Sequence, residues 1–262
     1  MKYHVCVTFV VIIAVLSISA QGRGRLRRKK NDGKKGRPSN STDFDLFIFT
    51  QHWPPTVCLD WKEELSNHTC SFPKGTEEWS IHGIWPTQLH KMGPFNCNKS
   101  LPFKPDELKP IEQELKDKWV DVENGTKPYA FWEHEWKKHG TCAAVINEVN
   151  SVYKYFKKGL DLFNMYDMKN VLGKVNITPG KQYLAQTILD GIKKIIGTRA
   201  QIECVVDKKN KIKYVFEIRI CFDKNFNLKD CDGIVNFPTN CPRKKLITYP
   251  GTVPDTIQVI QV

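Results

Sequence analysis

The sequence predicts an α+β domain, and three observations carry that prediction. Apolar residues recur at helical spacing in several segments, β-rich runs stand both early and late, and no regular strand–helix–strand rhythm links them. Phe44-Asp45-Leu46-Phe47-Ile48-Phe49 is apolar and aromatic enough for a buried strand. Asp106 to Trp119 is charged but places Leu108, Ile111, Leu115 and Trp119 on a helical stripe. Tyr129 to His139 and Val152 to Tyr166 read as further helices. Tyr183 to Ile196 is an amphipathic one, carrying Leu184, Ile188, Ile192, Ile195 and Ile196. Gln201–Val206 and Ile212–Phe222 are β-rich, and the second alternates early through Tyr214, Phe216, Ile218 and Ile220.

The 262 residues suit one domain of about 200–250 residues or two small ones. Hydrophobic residues make up 40% and aromatics 11%, which excludes wholesale disorder. No internal repeat appears. The chain is read as a leader over 1–20, a basic arm over 21–40 and a catalytic domain over 41–262.

The leader begins with Lys2, runs apolar from Val5 to Ile18 and ends in the small residues Ser17-Ile18-Ser19-Ala20. It is short for a membrane span and reads as a secretory signal, with a signal anchor as the competing reading. Its removal takes Cys6 and leaves eight cysteines, an even number that suits disulfides in an exported chain. Five Asn-x-Ser/Thr sequons, at Asn40, Asn67, Asn98, Asn124 and Asn176, point the same way.

Forty Lys and Arg against twenty-eight Asp and Glu give a formal charge of +12, but the charge is concentrated. Residues 22–37 hold nine basic residues, one acid (Asp32) and a single large apolar side chain, Leu26. Such a block cannot bury a core. It reads three ways: a solvated tail, an arm for a polyanion such as RNA or heparan-type glycan, or a pro-segment removed at Arg25-Leu26-Arg27-Arg28. From Pro38 onward thirty basic and twenty-seven acidic residues remain, a balance of only +3.

Two segments carry the chemistry. Trp79-Ser80-Ile81-His82-Gly83-Ile84-Trp85-Pro86 sets a histidine between tryptophans. Phe131-Trp132-Glu133-His134-Glu135-Trp136-Lys137-Lys138-His139-Gly140-Thr141-Cys142 packs two histidines, two glutamates and two lysines among aromatics. Taken alone, a histidine beside tryptophan is more often packed than catalytic. On a helix, however, Glu135 and His139 are i, i+4 and Glu135 and Lys138 are i, i+3, with His134 and Lys138 on the adjoining flank. Gly140 is expected to end that helix. A zinc protease would need His-Glu-x-x-His; here the spacing is one residue longer, which sets the imidazoles about 140° apart around the axis. No metal or other cofactor is therefore expected. Two histidines, a lysine and a glutamate suit metal-free phosphoryl transfer: one imidazole takes a proton, the other gives one, and the lysine stabilises charge on phosphorus. With RNA the 2′-hydroxyl is an internal nucleophile.

These two segments resemble the active-site blocks of the ribonuclease T2 family, the secreted, base-nonspecific endoribonucleases. Gln51-His52-Trp53-Pro54-Pro55-Thr56-Val57-Cys58 is similar to the strand and cysteine that open the family's domain. The resemblance covers roughly residues 44–242. It implies a disulfide-bonded α+β domain with a central antiparallel sheet flanked by helices, acting on RNA as a monomer without a membrane span. By position it implies that His139 is the base on the 2′-hydroxyl and His82 the acid on the 5′-oxygen. Glu135 and Lys138 would stabilise the transition state, and His134, Trp85 and Gln51 would bind substrate, Trp85 by stacking on a base. Thr87 departs from the family, which often has Asp there, so base preference stays open. The implied disulfides are Cys58–Cys70, Cys97–Cys142, Cys204–Cys241 and Cys221–Cys231. The destination is extracellular, or lysosomal after uptake. A secreted effector that acts by binding glycans or a receptor is the alternative function, motivated by the arm and the sequons.

Overall fold

Among the described residues seven strands form one sheet, and the neighbours of its central strand decide where the site lies. The computed structural model describes residues 42–74 and 78–254. The leader, the basic arm and Asn40 lie outside them. The sheet contains β1 (Leu46–His52), β2 (Ser80–Thr87), β3 (Lys181–Leu184), β4 (Gln201–Val206), β5 (Lys213–Phe222), β6 (Leu228–Lys229) and β7 (Leu246–Tyr249). The path runs β2-β1-β5-β7-β3, with β4 and β6 also paired to β5. All pairings are antiparallel except β5–β7, which meet in parallel at Tyr214 and Thr248.

The helices are α1 (Pro54–Glu64), α2 (Glu112–Lys118), α3 (Ala130–Glu135), α4 (Thr141–Ala143), α5 (Val152–Tyr166), α6 (Met168–Gly173) and α7 (Ala185–Ile196). Helix α1, which the apolar pattern did not suggest, starts on Pro54-Pro55, where a missing N–H costs nothing. A 3-10 turn at Pro105–Ile111 precedes α2, because Pro110 cannot donate to an α-helical ladder. Ser151 caps α5 by accepting a hydrogen bond from the Lys154 amide at 3.3 Å. Tyr183 and Leu184 lie in β3 rather than in the first turn of α7. Among the described residues, no helix is long and apolar enough to cross a membrane.

Five of the seven tryptophans are buried, so the core is largely aromatic. Trp119 packs on Phe156 with ring centres 4.7 Å apart, and its indole N–H reaches the His82 carbonyl at 3.0 Å. Gly159 allows α5 this close, since a Cβ there would stand 2.3 Å from the Trp119 ring. The four disulfides join Cys58–Cys70, Cys97–Cys142, Cys204–Cys241 and Cys221–Cys231.

Candidate active site

Two β-bulges and one π-type turn assemble the site. Along β1 and β2, Thr50 faces Gly83 but Gln51 faces Ile81, so His82 is the extra residue of a bulge. A bulge tilts its residue out of the pleat, and here it turns His82 toward β5. In β5 a second bulge leaves Phe216 unpaired between Val215 and Glu217. His82 Nδ1 then lies 2.5 Å from Glu217 Oε1, although 135 positions separate them in sequence. The other oxygen, Oε2, accepts from Arg219 Nε at 3.1 Å and Nη2 at 2.6 Å.

The second segment does not end where the glycine suggests. Helix α3 passes into a π-type turn, Trp136–Gly140, and continues as α4; Gly140 keeps helical angles, φ −58° and ψ −40°. Glycine is needed there for space, because a Cβ would stand 2.3 Å from the Trp136 ring. The turn buries Glu135 and His139 while leaving His134 exposed. π-type turns recur at functional sites because they re-aim side chains.

Glu135 is the common neighbour. Its Oε2 accepts from the Trp85 indole N–H at 2.9 Å, and its Oε1 lies 3.9 Å from His82 Nε2. Gly83 permits this approach: a Cβ there would fall 2.1 Å from Glu135 Oε2 and 2.3 Å from Trp85 Nε1. Trp85 stacks on His139 with centres 5.2 Å apart, and Phe95 meets the same imidazole edge-on at 5.6 Å. Lys138 Nζ sits 5.6 Å over the Phe95 ring, and its carbonyl accepts from the Asn96 amide at 2.9 Å. The Cys97–Cys142 disulfide ties the same loop to α4. Trp85, Thr87, Phe95, His139, Glu203 and Arg219 line a recess of about 190 Å³. A larger groove of about 850 Å³, along Asn164, Lys169 and Lys174, holds none of these groups.

Electrostatics separates the two buried-flank histidines. Burial lowers the pKa of His139 well below the ordinary imidazole value, and the Lys138 charge lowers it further. Burial works the same way on His82, but the Glu217 carboxylate and its hydrogen bond outweigh it and raise the pKa. Burial raises Glu135, opposed by the charge of His82 and the bond from Trp85. Burial and the Lys138 charge lower His134.

Gln51 is not in the site. Its amide donates to the Tyr166 carbonyl at 2.8 Å and accepts from the Met168 amide at 3.1 Å, fully buried between β1 and the α5–α6 junction. The next residue, His52, faces the site instead, its ring 5.3 Å from that of His82. Alternation along a strand makes the two side chains point to opposite faces. Thr87 donates its hydroxyl to the Trp85 carbonyl at 3.0 Å. His52, Phe95, Glu217 and Arg219 carried no local signal: Phe95 lies in a loop and the other three in strands, outside both histidine segments.

A family model described as the ribonuclease T2 family matches residues 44–231. The chain is 39% identical over 212 residues to ribonuclease Oy of Magallana gigas, covering 79% of this chain and 97% of that one. It is 35% identical to ribonuclease T2 of Sus scrofa, covering 75% and 98%. Among solved structures, ribonuclease MC1 from bitter gourd seeds superposes with a TM-score of 0.66 at 30% identity, over 79% of this chain and 100% of that one.

Proposed function

The chain belongs to the ribonuclease T2 family and is an RNA endonuclease, and from that premise we propose that it cleaves single-stranded RNA without a metal. The reaction proceeds through a 2′,3′-cyclic phosphate to a 3′-phosphate. The observation that carries this reading is the convergence of His82, Glu135 and His139 around Trp85, in surroundings that raise one imidazole pKa and lower the other. Environments that push paired titratable groups apart assign acid and base.

His139, held neutral, takes the proton from the 2′-hydroxyl as its oxygen bonds to phosphorus. Nδ1 of His139 is buried without a hydrogen-bond partner among the described residues, which leaves Nε2 for this transfer. His82, held protonated, delivers its Nε2 proton to the 5′-oxygen as that P–O bond breaks. Lys138 faces the phosphate and stabilises the negative charge that builds on it; Glu135, whose pKa burial raises, helps only as the protonated carboxyl donating to a phosphoryl oxygen, and His134 stands at the exposed rim. In the second step the roles reverse: His82 deprotonates water, which opens the cyclic ester, and His139 returns its proton to the 2′-oxygen. The recess lined by Trp85, Thr87 and Phe95 suits a base held against aromatic rings, a contact that any base can make.

Replacing His82 or His139 by Ala should lower kcat by a factor on the order of 10²–10⁴. Steady-state cleavage of a defined oligonucleotide, with ends identified by mass spectrometry, checks this. Activity that survives both changes, or that EDTA abolishes and zinc restores, contradicts the reading. Export as a glycoprotein is supported by the signal-type leader and by the exposure of Asn67, Asn98, Asn124 and Asn176. The basic arm is read as a polyanion contact separate from the catalytic step.

A further inference from the structure

We propose that Glu217 is a positioning residue: its carboxylate, itself held by Arg219, orients the His82 imidazole and keeps it the proton donor. The inference rests on the reading of His82 as the general acid.

Geometry carries it. Glu217 is 1% exposed, and its two oxygens have different partners. Oε1 faces His82 Nδ1, so Nδ1–H is the group engaged and Nε2, 3.9 Å from Glu135 Oε1, is left to give the proton. Oε2 is gripped through two nitrogens of the Arg219 guanidinium, which fixes the carboxylate in its plane. Arg219 is in turn anchored, donating to Gln201 Oε1 at 3.3 Å and Glu203 Oε1 at 3.2 Å, with its guanidinium 5.3 Å over the Trp85 ring. A carboxylate that orients an imidazole from its far nitrogen is a recurring catalytic device.

A bland ion pair between Glu217 and Arg219 does not account for the arrangement. The pair lies on β5, whereas His82 stands on β2, two strands away, as the extra residue of the bulge against β1. An ordinary pleat in β2 would pair His82 with a β1 residue rather than swing it toward Glu217.

The groups around His82 agree with the role. Glu217 and Arg219 face it from β5, Glu135 from α3 and His52 from β1, with His134 and His139 across the cleft. His52 is enclosed and its pKa is brought down to about 3, first by burial and then by the His82 charge, so it adds no competing cation in the imidazole range. Burial alone would raise Glu217, but the charges of His82 and Arg219 bring its pKa to about 2. Glu217 therefore stays ionised and does not take the proton; it holds the imidazolium that gives it away.

Two substrates separate positioning from a merely structural role. The 5′-alkoxide of a dinucleoside phosphate needs a proton to leave; the phenolate of a nucleoside 3′-(4-nitrophenyl phosphate) does not. Glu217→Gln should lower kcat on the dinucleotide on the order of 10–100-fold with KM little changed. On the nitrophenyl ester the loss should shrink to less than about threefold, as binding and the base step are intact. The high-pH limb of the dinucleotide profile should move to lower pH. Equal losses on both esters, or unchanged cleavage of the dinucleotide, would overturn the proposal. His82→Ala runs alongside: if it loses equally on both esters, the assignment of His82 as acid fails, whatever Glu217 does. If Glu217→Gln does not fold, ¹⁵N-imidazole NMR of the unaltered protein decides. A far-downfield Nδ1 proton and titration of His82 above the ordinary imidazole range support the proposal; their absence overturns it.

Discussion

At the scale of single residues, the site depends on which neighbours a side chain meets. His82 and His139 begin with the same chemistry, yet burial, reinforced by the Lys138 ammonium, lowers the pKa of His139, while the Glu217 carboxylate outweighs burial at His82 and raises it. In the proposed mechanism the reactive state has His139 neutral and His82 protonated. It is lost at low pH as His139 takes a proton, and at high pH as His82 gives one up. With His139 lowered and His82 raised, kcat/KM should be flat across the ordinary imidazole range, falling only on either side. A narrow bell centred near 6.5 would contradict that ordering. His82, Glu135, Lys138 and His139 could be proposed from the sequence because their types fit one chemistry and, within the second block, so does their helical spacing. Gln51 and His52 were not separable, since a strand sends adjacent side chains to opposite faces and the sequence does not say which face is reactive.

At the scale of elements, legibility followed hydrophobic period. Helix α5 spans the residues its stripe outlines, because Val152, Tyr155, Phe156, Leu160 and Phe163 bury one face and Ser151 supplies the cap. The catalytic segment read as a single helix closed by Gly140, but the Trp136 ring claims the space beside that glycine and the chain widens into a π-type turn. β2 was missed because its register is irregular: Pro86 and the bulge at His82 break the alternation that marks a strand. The Cys97–Cys142 disulfide clamps the Phe95 loop to the end of α4 across 45 positions. Replacing both cysteines by Ser should cost about 4 kcal/mol in the chain-entropy picture. Denaturant melts should show the loss in midpoint, with cleavage at low denaturant reduced as Lys138 and Phe95 lose their frame.

At the scale of the whole molecule, the charge and the chemistry are separable. Residues 22–37 hold eight of the twelve net positive charges, while the catalytic groups lie more than forty positions further on. Deleting 22–37 should leave kcat on a dinucleotide unchanged and lower the salt concentration at which the protein elutes from heparin. If a cellular effect disappears with the arm but survives His139→Phe, the effector reading gains over the enzymatic one. The sequence by itself determined the α+β class, the longer helices, and the two blocks from which an acid, a base and a phosphate-facing cation are proposed. Those features are local: periodicity and spacing act over one or two turns of chain. Only the tertiary structure decided that Gln51 is scaffold and His52 a wall of the site, and that Glu217 lies behind His82. These depend on strand register and on two single-residue bulges. A shift of one residue moves every side chain to the other face, and no local pattern in the sequence announces it.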